Sequence, residues 1–190
     1  AYALALAIGV ALIARTFPLG FLLGAGDWLR VPESDVAINI VGQRYFFADA
    51  WRWPLLDAMN LWVPQGINIA YLDSIPILAL PLKLIAPLLP QGTHAIYLWY
   101  VAAWLLQPVA AVWCLRGAGE RRLLPALAVA VTAVSMPAWW DRFGHAALCG
   151  HFFLLVALGL YLRLVRRPEP RRWGMAIAFQ LAALLVHPYL

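Results

Sequence analysis

Two short loops constrain this chain more than anything else in it. Residues 116–122 read RGAGERR and residues 163–172 read RLVRRPEPRR, and together they hold eight of the chain's fourteen Lys and Arg residues. Only Glu120 and Glu169 oppose them, and long apolar runs flank both loops. Basic loops between apolar runs of about 20 residues are the pattern of membrane helices whose arginines stay on the cytoplasmic side. The two runs between these loops then cross out and back.

Composition excludes the other broad classes. The chain is 64% hydrophobic and 12% charged, with a mean hydropathy of +0.77, where a soluble domain carries about 25% charged residues. A net charge of +5 would suit nucleic acid if it covered one surface. Confined to two loops between apolar runs, it is a topology signal instead. Cys114 and Cys149 lie in apolar runs without CxxC or Cys/His spacing, so they read as small hydrophobes.

The chain reads as an all-α, polytopic transmembrane helical bundle. Spans are expected at about residues 1–23, 95–115, 123–139, 146–165 and 173–190. A first run cut as a signal peptide is the competing reading, but no convincing cleavage site precedes Asp27. The sequence starts inside one apolar run and stops after another, so the N-terminal part of a longer protein is expected. Residues 24–94 form a long outer loop. Within it, residues 74–89 have nearly the length of a span but carry Pro76, Pro81, Pro87 and Lys83. A full crossing there would put the 116–122 arginines outside, so a juxtamembrane or re-entrant helix is expected. Pro32-Glu33-Ser34 is a helix-start signal with Ser34 as N-cap, and the first run is expected to end by about Gly26. The signal predicts a helix over 35–48, with Asp35, Asn39 and Gln43 on one face, lying in the interface. Trp51, Trp53, Trp139 and Trp140 are expected as interface anchors.

The outer face collects Asp35, Asn39, Asp73, Lys83, Asp141, Arg142, His145 and His187, with His151 further down its helix. Ionisable groups at membrane depth are expensive and point to function. A carboxylate can take a proton from an attacking hydroxyl. Arg, Lys and His can hold a phosphate leaving group. Together they equip a site for transfer from a lipid-linked phosphosugar. Ordinary readings stand beside these. Asp35 suits a helix N-terminus, Asp73 an N-cap of the next segment, Lys83 a snorkelling position, and Arg142 a pair with Asp141. His145 and His151, six apart, would fall on different helix faces, against a shared metal.

The order of parts, and the segments D-V-A-I-N (35–39), G-Q-R-Y-F-F (42–47), W-R-W-P-L (51–55), P-Q-G (64–66), L-D-S-I-P (72–76), G-H-A-A-L-C-G-H (144–151) and H-P-Y (187–189), resemble the GT-C superfamily of membrane glycosyltransferases, and most closely an uncharacterised bacterial family of GT-C-like membrane proteins. The resemblance covers nearly the whole chain. It implies a polyprenyl-phosphate sugar donor, inversion at the anomeric carbon, and a glycan, lipid or protein acceptor. It implies a first-loop catalytic carboxylate, for which Asp35 is the matching position. Asn39, Arg44, Trp51, Trp53, Asp73, Lys83, Arg142, His145 and His187 are the expected substrate-binding residues. Asn39 stands where the closer family leads us to expect a histidine. Some relatives hold a divalent metal, Mg or Mn, between acidic residues of the first and second outer loops. Here Asp35 and Asp141 would be those residues, but the second loop lacks a paired-acid motif. The implied location is a bacterial inner membrane among membrane lipids, multi-pass, with the site facing the periplasm or exterior, and the confinement of the arginines to two loops argues for no nucleic-acid partner. The rival classes are a transporter or flippase of lipid-linked glycans, which would carry a second pseudo-symmetric half, and a non-catalytic membrane subunit.

Overall fold

The computed structural model describes residues 1–22, 35–89 and 93–190. The expected helix end near Gly26, the loop start at Asp27 and the Ser34 cap lie outside the described residues. The chain is mostly helical. Helices α1 (Tyr2–Thr16) and α2 (Leu19–Leu22) come first, then α3 (Asp35–Ala48). A two-residue strand pair follows, β1 (Asp57–Ala58) antiparallel to β2 (Ile67–Asn68), with Asp57 opposite Asn68. Next are a 3-10 turn at Ile69–Leu72, α4 (Pro76–Ile85), a 3-10 turn at Ala86–Leu88, and α5 (Ile96–Gly117). The rest is α6 (Leu123–Ser135), α7 (Pro137–Trp140), 3-10 turns at Asp141–Gly144 and Ala147–Cys149, α8 (Phe152–Arg166) and α9 (Pro170–Leu184).

Helix α5 is the central pillar and packs against α1, α6 and α8. Its 22 residues span about 33 Å. Among the described residues it is the one helix long and apolar enough to cross a membrane. Residues 123–135 and 137–144 pass the same test as one span bent by 46°. The other four expected spans are shorter as helices among the described residues. Met136 is extended ahead of Pro137, which lacks an N–H and disfavours helix before it, and α6 stops at Ser135. Residues 145–151 form turns, so α8 starts at Phe152 rather than near 146.

The bend changes the role of two tryptophans. Trp139 is a core residue, not an interface anchor, and Trp140 is partly buried against the same core. Trp139 is fully buried, 4.4 Å from the Trp104 ring centroid, and its indole donates to Cys149 O at 3.1 Å. Trp140 donates to Val134 O at 2.8 Å. The break at Pro137 turns both rings inward onto α5, where Phe17, Phe21, Tyr100 and Phe143 complete an aromatic core.

Helix α3 is present over the expected residues. Asn39 and Gln43 are buried with Val36, Ile40 and Phe46, while Asp35 on the same side stays partly open to solvent. Ile38, Val41 and Tyr45 are exposed. Burying Gln43 is tolerated because both ends of its amide are satisfied. Its Nε2 donates to Ser74 O at 2.9 Å, and its Oε1 accepts from Ala95 N–H at 2.8 Å. Gln43 thus ties α3 to the entries of α4 and α5. Gly42 permits this closeness, since a Cβ there would lie 2.1 Å from Ser74 Oγ.

Candidate functional site

The N-terminal end of α5 carries the site. Two of its aromatic side chains fix the loop after α7. Tyr100 Oη donates to Phe143 O and Trp99 Nε1 to Ala146 O, each at 2.6 Å. Cys149 Sγ adds a bond to Arg142 O at 3.2 Å. Residues 142–146 are therefore held on both sides of His145. Asp35 opens α3, whose Gln43 is anchored at Ala95. Both halves of the site thus hang from the same helix end.

Two carboxylate–histidine pairs result. His145 Nδ1 lies 2.8 Å from Asp35 Oδ2, and both side chains are partly open to solvent. The carboxylate accepts, so Nδ1 carries the proton. Asp35 Oδ1 and His145 Nε2 have no bonding partner among the described residues. His187 Nε2 lies 2.9 Å from Asp73 Oδ1, with the imidazole almost buried. Its Nδ1 accepts from Tyr189 N–H at 3.1 Å. That accounting places the His187 proton on Nε2. Asp73 sits at φ +50° and Ile75 at φ +52°. The β-branched Ile75 is strained in that region, at a cost of order 1–3 kcal/mol. Asp73 therefore ends the preceding 3-10 turn; it does not cap α4, whose N-cap residue is Ile75.

Arg142 and His151 line one cavity of about 300 Å³ with Tyr189, two residues from His187. No ion pair joins Arg142 to Asp141 among the described residues, and both side chains are exposed. The separation of His145 and His151 onto different helix faces needs a continuous helix between them. The turns between them remove that premise. Tyr189 carries no signal in the sequence beyond its place in H-P-Y.

The remaining expected residues are placed differently. Asn39 is buried; its Nδ2 donates to Asp35 O at 2.6 Å, and its Oδ1 has no partner among the described groups. Arg44 is half-buried on α3. Lys83 is neither snorkelling nor placed to reach a lipid phosphate. It is 3% exposed, lies 3.9 Å from the Phe46 ring centroid and 4.9 Å from that of Trp51, and donates to Ala50 O at 3.3 Å. Burial pushes its ammonium pKa down, and the ring faces compensate part of the lost hydration. Trp51 covers this cage and is half-exposed, while Trp53 is 84% exposed. The outer loop is also pinned by Asp49, which binds Arg52 and accepts from Met59 N–H at 2.6 Å and Ala50 N–H at 2.8 Å. The Arg52 guanidinium holds the Asp49 carboxyl down at about 2.

Asp35 and Asp141, the residues a divalent metal would use, are not completed by a third ligand among the described residues. Asp35 gives one oxygen to His145, and no group of three His, Cys, Asp or Glu ligands forms among the described residues.

No curated protein and no solved structure matches the chain. A family model does match, over residues 6–190. The chain belongs to that family, DUF6311, a domain of unknown function.

Proposed function

We propose that this chain is the membrane-embedded, site-bearing part of a GT-C-type glycosyltransferase that moves a sugar from a polyprenyl-phosphate donor to an acceptor hydroxyl outside the cytoplasm. The observation that carries the reading is the 2.8 Å Asp35–His145 pair, with the His145 N–H bonded at 2.8 Å to the carbonyl of Arg142, which lines a cavity with His151. It joins a base to groups suited to phosphate. Further support comes from the arrangement of polar ends. The arginine loops gather at one end of α5 and the carboxylate–histidine pairs at the other, and α5 itself is about 33 Å long. That matches the roughly 30 Å of hydrocarbon in a bilayer. The multi-pass arrangement, with arginines on the cytoplasmic side of an inner membrane, is part of the same proposal.

The chemistry follows from charge placement. The acceptor oxygen forms a bond to the anomeric carbon as the bond from that carbon to the phosphate oxygen breaks. The lipid phosphate leaves with the electron pair, and Arg142 with His151 faces its added negative charge. The hydroxyl proton goes to Asp35 Oδ1. His145 donates to the other oxygen and fixes the direction of the carboxylate. A single displacement of this kind inverts the anomeric centre.

The test is transfer from polyprenyl-phosphate sugars in proteoliposomes containing the full chain. Asp35→Asn removes the proton acceptor and should lower turnover by about 10²–10⁴-fold while donor binding persists. Wild-type turnover in that variant would reject Asp35 as the base. Lipid-linked glycan crossing the bilayer without transfer would favour a flippase.

A further inference from the structure

The opposite end of α5 holds a second built site. Arg116, Arg121, Arg163, Arg166, Arg167 and Arg172 line one cavity of about 470 Å³. They come from the end of α5, the turn after it, the end of α8 and the start of α9. Six guanidiniums this close repel one another unless an anion joins them. The protein supplies little negative charge there. Glu120 is bound to Arg122 at 2.6 Å, and Glu169 reaches only Arg172, at 3.4 Å.

Backbone carbonyls position the guanidiniums instead. Arg163 donates to Gly159 O at 2.8 Å and Trp113 O at 2.9 Å, and its guanidinium lies 3.6 Å from the Trp113 ring centroid. Arg172 donates to Arg163 O at 2.8 Å, Arg116 to Glu120 O at 3.0 Å, and Arg166 to Ala118 O. Gly119, at φ +91°, leaves the space Arg166 occupies: a Cβ there would lie 2.5 Å from its Nη1. The side chains of Arg121 and Arg167 have no hydrogen bond or ion pair to any described group. The bowl is therefore held in shape with unused donors.

An apolar groove of about 270 Å³ opens beside it between α8 and α9, lined by Leu160, Leu164, Trp173 and Phe179. Trp173 follows Arg172 directly, and Leu164 lies between Arg163 and Arg166. We propose that this end binds an anionic phospholipid, its phosphate headgroup in the arginine bowl and one acyl chain in the α8–α9 groove. Charge complementarity selects the headgroup, and the adjoining groove selects a lipid over a free phosphate. The proposal shares only the membrane setting with the transferase reading, and its test uses no sugar.

The experiment is native mass spectrometry and melting of the full chain in neutral detergent. Phosphatidylglycerol, phosphatidylcholine and glycerophosphoglycerol, the headgroup without chains, are the probes. Phosphatidylglycerol should bind and raise the melting temperature, while the other two bind at least about tenfold more weakly. Arg121→Ala with Arg167→Ala touches no internal bond, so the fold persists and phosphatidylglycerol affinity falls about tenfold or more. Ala176→Trp, which fills the groove, should lower phospholipid binding. Equal binding of the two phospholipids, or an unchanged double variant, would overturn the site. Glycerophosphoglycerol binding as tightly as the phospholipid would overturn the lipid assignment in favour of a soluble phosphate.

Discussion

His187 shows how much a single side chain can fix. Its Nδ1 is occupied by Tyr189 N–H and its Nε2 by Asp73, so one neutral tautomer satisfies both. Removing the imidazole strands a carboxylate that is only partly solvated. His187→Ala should cost about 1–2 kcal/mol and leave Asp73 undirected, read as a lower melting temperature in detergent. Asp49 makes a pH prediction. Its folded pKa, about 2, lies below the ordinary 3.8. The stabilisation is therefore complete above about pH 4 and disappears as pH falls toward about 2. Pepsin cleavage within residues 50–61 should rise across that window. Asp49→Asn, which lacks the charge throughout, should already be cleaved at about pH 4. Equal cleavage of the two proteins at the top of the window would show that Asp49 does not pin the loop.

At the scale of elements, the junction of α3, α4 and α5 decides where Asp35 points. Gln43→Leu leaves Ser74 O and Ala95 N–H without their partner. Each buried orphan costs about 1–3 kcal/mol, so this variant should melt well below the wild type. Gly42→Ala tests the same contact by crowding. Its new methyl meets Ser74 Oγ, and overpacking of this kind costs about 1–3 kcal/mol. Adding Ser74→Ala removes the clashing atom and should recover part of the loss. Additive effects of the two substitutions would mean that they do not touch. The burial of Asn39 and Gln43 belongs to this scale too. A repeat of four identifies residues that share a side, but which way that side faces depends on what receives it.

Across the whole molecule, topology is the strongest expectation. Helices α5 and α8 end at the arginine bowl, and α6 and α9 start beside it. If that end faces the cytoplasm, a cysteine at Ala118 in a chain lacking Cys114 and Cys149 stays unlabelled by an impermeant reagent. A cysteine at the exposed Gln65 in the outer loop is labelled. Labelling at Ala118 but not at Gln65 would invert the bundle.

Some of this was legible in residue order alone. The arginine loops and apolar runs mark helices and their ends, because charge is costly to bury and its position in the chain is visible. Asp35, Asp73, His145 and His187 could be named as polar groups on one side for the same reason. Their pairing could not be read, since Asp35 and His145, or Asp73 and His187, lie more than 100 residues apart and only packing around α5 brings them together. The same holds for Lys83, whose aromatic cage depends on Phe46 and Trp51 folding back over α4, and for Trp139, turned inward by one proline. Local chemistry determined which groups had to be satisfied. The tertiary structure decided which partners satisfied them, because a buried polar group bonds whatever donor or acceptor the packing delivers.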